Sequence, residues 1–201
     1  MDYIVGIDEA GRGALAGPVV VGVVAIPKGF KISGYKLPKL KDSKGLSANQ
    51  RSLWYTYIRK HPQIFFASAR VYQRRIDKIN ITQSSNVAAS RALDNLFKEI
   101  PRKRVSKVLL DGGLYLGSIE HMGIASKTIV RGDEKHNPIK LASIVAKVTR
   151  DKYLEKLDFR YPQYGLARHK GYGTKAHFKA IKEHGILEMH RLTFLKEKIK
   201  N

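Results

Sequence analysis

The chain has 201 residues with 38 Lys plus Arg against 17 Asp plus Glu, a formal net charge of +21 and a pI near 10.1. That length buries a sizeable core, and 43% hydrophobic residues is ordinary for a globular protein, so one main domain with a small appendage is expected. Zero cysteines exclude disulfides, thiol nucleophiles and thiolate zinc sites; the cationic excess favours nucleic acid over heparin-like chains or anionic membranes, and the lack of a basic-then-apolar leader or a run of about 18 apolar residues points to a cytoplasmic protein with no membrane partner.

Residues 3–7 are a short apolar run and residues 18–26 (PVVVGVVAI) a longer β-branched one; both read as strands. Between them Asp8-Glu9 sets two adjacent carboxylates where the first strand enters a glycine turn, Gly11-Arg12-Gly13 with Gly17. A dinucleotide-binding loop is the competing reading of those glycines. It fails on context, because such a loop opens a helix, whereas a strand follows here and the acids stand where a pyrophosphate would approach. Glycines also let backbone amides come close to a ligand, so the turn is read as a backbone reader of nucleic acid.

From Pro27 to Ile76 there are twelve basic residues and one acid, Asp42. This stretch holds a basic loop at 28–45 with Lys41-Asp42-Ser43-Lys44-Gly45, whose Lys44 suits a phosphate contact, a solvated turn being the alternative. A helix capped by Ser47 follows, then a third strand at 63–71. Residues 80–100 carry small and apolar residues at helical spacing and stop at Pro101. Residues 107–110 form a strand leading into Asp111, and 127–130 a strand leading into Arg131-Gly132-Asp133. Residues 139–157 are helical; there Asp151 and Glu155 alternate with Arg150, Lys152 and Lys156, which reads as a salt-bridged solvated face and ranks Asp151 below Asp133 as a ligand.

Beyond Phe159 the chain becomes polar, basic and rich in Gly, His and Tyr, with a helix at 175–183. In His169-Lys170-Gly171-Tyr172-Gly173-Thr174-Lys175 the aromatic ring stands between glycines among cations, placed to stack on a base or sugar, with packing against the main domain as the alternative. His169, His177, His184 and His190 cluster late; a zinc site is a weak alternative there, with no His-x₃-His pair or thiolate to support it, and most of the histidines read as surface or phosphate-facing. The element order implies an α/β mixed sheet flanked by helices, and the change in composition divides the chain into a main domain at 1–158 and a small extension packed on it at 159–201.

Asp8-Glu9, Asp111 and Asp133 share one context: each follows a strand, and acids arriving from separate strand ends converge in the crevice outside an open α/β sheet. Any one of them alone reads as a turn residue. Together they repel one another, and a hard cation such as Mg²⁺ relieves that repulsion.

These segments resemble type 2 ribonuclease H (RNase HII) of the bacterial kind. The matching pieces are Gly6-Ile7-Asp8-Glu9-Ala10-Gly11-Arg12-Gly13 with Gly17-Pro18, Lys41-Asp42-Ser43-Lys44, Leu110-Asp111-Gly112 and Gly132-Asp133. They continue with Ala142-Ser143-Ile144-Val145-Ala146-Lys147-Val148-Thr149-Arg150-Asp151, Tyr161-Pro162-Gln163-Tyr164-Gly165, His169 to Thr174, and His190-Arg191, in order over residues 3–194. The resemblance implies a ribonuclease H-like mixed five-stranded sheet with a small helical C-terminal part. It implies Asp8, Glu9, Asp111 and Asp133 as catalytic and metal residues, holding two Mg²⁺ or Mn²⁺ ions with substrate bound. Gly11, Arg12 and Gly13 would sense a ribose 2′-hydroxyl, Tyr172 would stack on the following deoxyribose, and Lys44 would complete the substrate-binding set.

The implied activity is endonucleolytic cleavage of RNA in RNA–DNA hybrids and on the 5′ side of single ribonucleotides in duplex DNA, leaving 3′-hydroxyl and 5′-phosphate ends. A monomer is expected, and although a sliding clamp is a possible partner, residues 196–201 offer no recognisable docking peptide. The sister type HIII is the alternative within enzymes, disfavoured by the glycine turn with Tyr172; a noncatalytic binding module would have no use for four metal-suited acids. Two departures from the family pattern, Ile139-Lys140-Leu141 before Ser143 and Ser84-Ser85-Asn86 after Asn80, concern helix packing rather than the acids.

Overall fold

The computed structural model describes residues 1–32, 37–117 and 124–199; residues 33–36 of the basic loop and residues 200–201 of the tail lie outside the described residues. Five strands form one mixed sheet: β1 (Tyr3–Ala10), β2 (Val19–Pro27), β3 (Phe65–Val71), β4 (Val105–Asp111) and β5 (Ala125–Ile129), in the order β3-β2-β1-β4-β5. β2 runs antiparallel to both β1 and β3, while β1, β4 and β5 run parallel. The expected mixed five-stranded sheet is therefore present; β1, β4 and β5 are one to three residues longer than their apolar runs, β2 is shifted by one residue, and β3 begins two residues later than expected.

Helices cover both faces. β2 is buried along its whole length, as the unbroken β-branched run requires of a strand covered on both sides. Its odd-numbered valines, with Val5 and Ile7, pack against Ala88, Ala89, Ala92 and Leu96 of α3 (Ile81–Leu96). Its Val24 and Ile26 face the other way, toward Trp54 and Ile58 of α1 (Ala48–Lys60) and Leu141, Ala142 and Val145 of the 24-residue α5 (Asn137–Arg160). Between α1 and α5 come α2 (Gln73–Ile79), α3 and the short α4 (Gly132–Lys135). Ser47 caps α1 as expected, in a capping box closed by Gln50.

α5 sits on the sheet backbone to backbone. A Cβ at Gly6 would stand 2.1 Å from the Pro138 carbonyl carbon, and one at Gly22 would stand 2.5 Å from the Ala142 oxygen. Ile139 and Leu141, which depart from the family pattern, are fully buried in this contact. Ser84 and Ser85 are buried in α3, and neither hydroxyl has a hydrogen-bond partner among the described residues.

After α5 the chain continues through α6 (Leu166–His169), α7 (Lys175–His184) and α8 (Leu192–Ile199). These pack around Leu15 and Ala16 of the glycine turn, with Tyr164, Leu166, Ile181 and Leu195 in one apolar cluster. Backbone bonds from Leu15 to Gly171 (2.8 Å), Gly17 to Met189 (2.8 Å) and Arg191 to Leu15 (2.7 Å) stitch the two ends of the chain together.

Gly6→Ala must push against helix backbone rather than a movable side chain, and is expected to cost about 3 kcal/mol or more. Gly13→Ala, with nothing within 4 Å of the new Cβ, should stay within about 0.5 kcal/mol of wild type. Urea denaturation of the two variants checks the contrast.

Candidate active site and metal centre

The parallel register Ile7↔Leu110 brings the next residues, Asp8 and Asp111, side by side at the carboxyl end of the sheet. Ile7 and Leu110 lie in the α3-side core, so alternation puts both aspartates on the α5 side. Asp133 comes from α4, entered through Arg131 in a left-handed conformation (φ 54°) just after β5. One Asp111 carboxylate oxygen accepts from the amides of Gly132 (2.7 Å) and Asp133 (3.3 Å), so Asp111 fixes the start of the helix that presents Asp133. Single oxygens of Asp8, Asp111 and Asp133 all lie within 4.8 Å of one another.

Glu9 sits beside this group rather than in it. Its Oε1 is 3.6 Å from the Arg12 guanidinium, and its Oε2 is buried with no hydrogen-bond partner among the described residues. Burial, and then the charges of Glu9, Asp111 and Asp133, push the Asp8 carboxyl well above its usual range, against one hydrogen bond from the Glu9 amide (2.7 Å). Burial raises Glu9 to about 7 despite Arg12 and Lys44, and Asp133 is raised by burial and by Asp111. Crowded, desolvated carboxylates and one orphaned carboxylate oxygen fit a divalent cation. With oxygen donors alone, the set matches a hard ion such as Mg²⁺ or Mn²⁺.

A cleft of about 420 Å³ adjoins the acids, bounded by Glu9, the glycine turn, Ser43, Lys44, Lys147 and Tyr172. The turn's two glycines serve different needs. Gly11 has φ +94° and no room for a Cβ, which would meet the Arg150 guanidinium at 2.0 Å; Gly13 is open. The Arg12 side chain lies toward the Gly113 carbonyl (3.4 Å) and the Thr82 hydroxyl (3.5 Å). Lys44 is placed by an Asp42 side chain that accepts its amide (2.8 Å) and by a bond from the Ser43 amide to Ser143 of α5 (2.9 Å). Tyr172, 39% exposed, closes the far side.

Two expectations are corrected. Arg150, assigned to a solvated helix face, is fully buried: its guanidinium donates to the carbonyls of Pro18 (3.1 Å), Lys170 (2.9 Å) and Ala16 (3.1 Å), and lies 5.4 Å from the Tyr172 ring centroid. Arg191 does the same for Gly17 (3.0 and 2.9 Å) and Arg12 (2.8 Å). Burial and the adjacent Arg150 lower Arg191 to about 9. Charge alternation cannot reveal such residues, because an arginine satisfied by carbonyls looks like any surface arginine. The histidines are the second correction: His169, His177 and His190 are buried and only His184 of the late cluster is exposed. Lys147, which lines the cleft and pairs with Asp151 (2.8 Å), had no role assigned to it from the sequence.

The sequence pattern of the Ribonuclease HII family matches residues 5–197. The chain belongs to the ribonuclease HII family. A Ribonuclease HII of Acetivibrio thermocellus is 44% identical over 193 residues, spanning 96% of this chain and 70% of the relative. Among solved structures, ribonuclease H2 of Pyrococcus horikoshii is 25% identical with a TM-score of 0.72, covering 99% of this chain and 100% of that one. RNase HII of Archaeoglobus fulgidus, solved in a complex with PCNA, is 25% identical with a TM-score of 0.70 and 94% coverage of both chains. The protein is thus a metal-dependent ribonuclease H that acts on RNA in RNA–DNA hybrids. No helix among the described residues is long and apolar enough to cross a membrane.

A carboxyl whose folded pKa is raised contributes stability at low pH that is lost as pH climbs through the raised value. For this ribonuclease HII without metal, Asp8→Asn should therefore raise the melting temperature at pH 8, by about 2–4 °C per kcal/mol relieved. Added Mn²⁺ should stabilise wild type more than the variant. A variant less stable than wild type in metal-free buffer at pH 8 would contradict the electrostatic account; differential scanning calorimetry decides.

Proposed function

We propose that this ribonuclease HII cuts the RNA strand of hybrids and also cuts on the 5′ side of a single ribonucleotide embedded in duplex DNA. The observation that carries this reading is that the open Gly13 and the exposed Tyr172 line one cleft together with Glu9, which sits beside the acid cluster. Gly11 is required by the protein's own packing, but Gly13 is not. The vacant space over Gly13 suits a ribose, with the turn's backbone meeting the 2′-hydroxyl that separates RNA from DNA at one position. Across the cleft, Tyr172 has a face for the next sugar, backed by the Arg150 guanidinium. A ribonucleotide followed by a deoxyribonucleotide satisfies both walls at once.

Asp8, Asp111 and Asp133, with Glu9 beside them, would hold two divalent cations, Mg²⁺ or Mn²⁺. When bound, such a pair supplies an activated water and stabilises the leaving oxygen of an in-line displacement. The chain's own residues orient the strand. Lys44, whose charge is felt by both Glu9 and Asp133, meets a phosphate at the cleft edge. Breaking the phosphorus–O3′ bond on the 5′ side of the ribonucleotide leaves a 3′-hydroxyl on one fragment and a 5′-phosphate on the other.

Residues 159–201 act in this reading as a substrate-binding extension on a catalytic domain of residues 1–158. One chain supplies the acids, the turn and the tyrosine, so a monomer suffices.

Asp111→Asn should abolish cleavage while retaining hybrid binding; wild-type-like turnover would remove Asp111 from the site. Tyr172→Ala should lose most of the preference for a duplex with one ribonucleotide over an all-RNA hybrid, and an unchanged preference would show that the stacking role is misassigned. Both are read from initial rates on labelled duplexes.

A further inference from the structure

The loop that presents Tyr172 is strained and heavily tied. Lys170 has φ 50°, a left-handed conformation unfavourable for a residue with a Cβ, and Gly171 follows at φ 76°. Such geometry persists only where surrounding bonds over-determine it. Arg150 holds the Lys170 carbonyl, the Leu15 and Ala16 amides hold the Gly171 carbonyl, and imidazoles supply further bonds.

His177 Nδ1 lies 3.0 Å from the Tyr172 carbonyl oxygen, which is an acceptor only, so Nδ1 carries the proton. His177 Nε2 is then an acceptor, and it lies 3.3 Å from His190 Nε2, which must donate. His190 Nδ1 completes the chain by accepting from the Leu187 amide (3.0 Å). His169 stacks on His177 with ring centroids 4.3 Å apart, donates from Nε2 to the Tyr164 carbonyl (2.7 Å) and accepts the Gly171 amide at Nδ1 (3.2 Å). Backbone groups set the tautomers of His169 and His177, whereas His190, with Nδ1 also 3.2 Å from the Leu187 carbonyl oxygen, takes its tautomer from the acceptor His177 Nε2. Every ring nitrogen is occupied in this scheme, which leaves none for a metal ion. Burial lowers His177 to about 4 and lowers His190 as well, in keeping with neutral rings at ordinary pH.

We propose that His190 and His177, braced by His169, form a hydrogen-bond relay that fixes the Tyr172 carbonyl and so aims the tyrosine ring at the sugar after the ribonucleotide. These are positioning residues and do not touch substrate. The inference rests on the stacking role given to Tyr172 above. The Thr174 amide also donates to the same carbonyl (2.9 Å), so His177 supplies one of two bonds that set the peptide plane. Loss of that bond frees the plane to rotate and the ring with it.

Asparagine can place an amide N–H where His177 Nδ1 stands, whereas glutamine reaches the Nε2 position and leaves the Tyr172 carbonyl with one donor. The readout is the ratio of kcat/KM on a duplex with one ribonucleotide to that on an all-RNA hybrid. His177→Gln should lower the ratio about tenfold, and His177→Asn should keep it within about threefold of wild type. A purely structural role would lower both rates together and leave the ratio unchanged in either variant, which overturns the relay. Tyr172→Ala, assayed alongside, separates the two ideas: if it collapses the ratio while His177→Gln does not, the relay alone is wrong; if it leaves the ratio unchanged, the stacking reading fails and the relay falls with it. Should the variants not fold, ¹⁵N side-chain spectra of the wild-type enzyme serve instead. They should show His177 protonated at Nδ1 and His190 at Nε2, and the opposite tautomers overturn the proposal.

Discussion

The seating of α5 on the glycines of β1 and β2 governs the rest of the molecule. Gly6 and Gly22 let the helix backbone touch the sheet backbone, at separations no side chain would allow. That contact sets the height of the helix over the sheet and hence the reach of everything it carries. Ser143 holds the Lys44 loop, Lys147 lines the cleft, and Arg150 passes over Gly11 to the carbonyls of the glycine turn. A side chain at either glycine would lift all three together.

The second constraint is the pair of guanidiniums behind the cleft. Arg150 and Arg191 are fully buried, near enough for each to feel the other's charge, and bonded to backbone carbonyls. Burying a cation is expensive unless its donors are satisfied, and here fixed carbonyls satisfy them without neutralising the charge. The turn from Arg12 to Pro18 and the Tyr172 loop are thereby rigid although neither is regular secondary structure. Positive charge also stays behind Gly11 and Tyr172, where low permittivity strengthens it. Glu9, Lys44 and Lys147 line the same cleft, so anionic and cationic groups share it.

Much of this was legible because strand ends and acids coincide in the sequence. Asp8, Asp111 and Asp133 each follow an apolar run, and alternation along a strand is enough to foresee a shared edge. What stayed hidden has a common cause. Arg150, Arg191, His169, His177 and His190 are polar residues buried by partners distant in the chain or by backbone groups, and local pattern equates polar with exposed. Arg150 bonds carbonyls 132 and 134 residues away, a relation no window of sequence contains. The short α2 and α4 were missed for another reason: helices of seven and four residues are held by tertiary contacts rather than propensity.

The central claim is that Asp8 and Asp111 at strand ends and Asp133 at the start of α4, with Glu9 beside them, form a divalent-metal centre for cutting RNA. An anomalous difference map from crystals of the enzyme grown with Mn²⁺ tests it most directly. The account predicts a peak bounded by carboxylate oxygens of Asp8, Asp111 and Asp133. Strong Mn²⁺ density elsewhere, for example at Asp151 and Glu155, with none among the three aspartates, would contradict it.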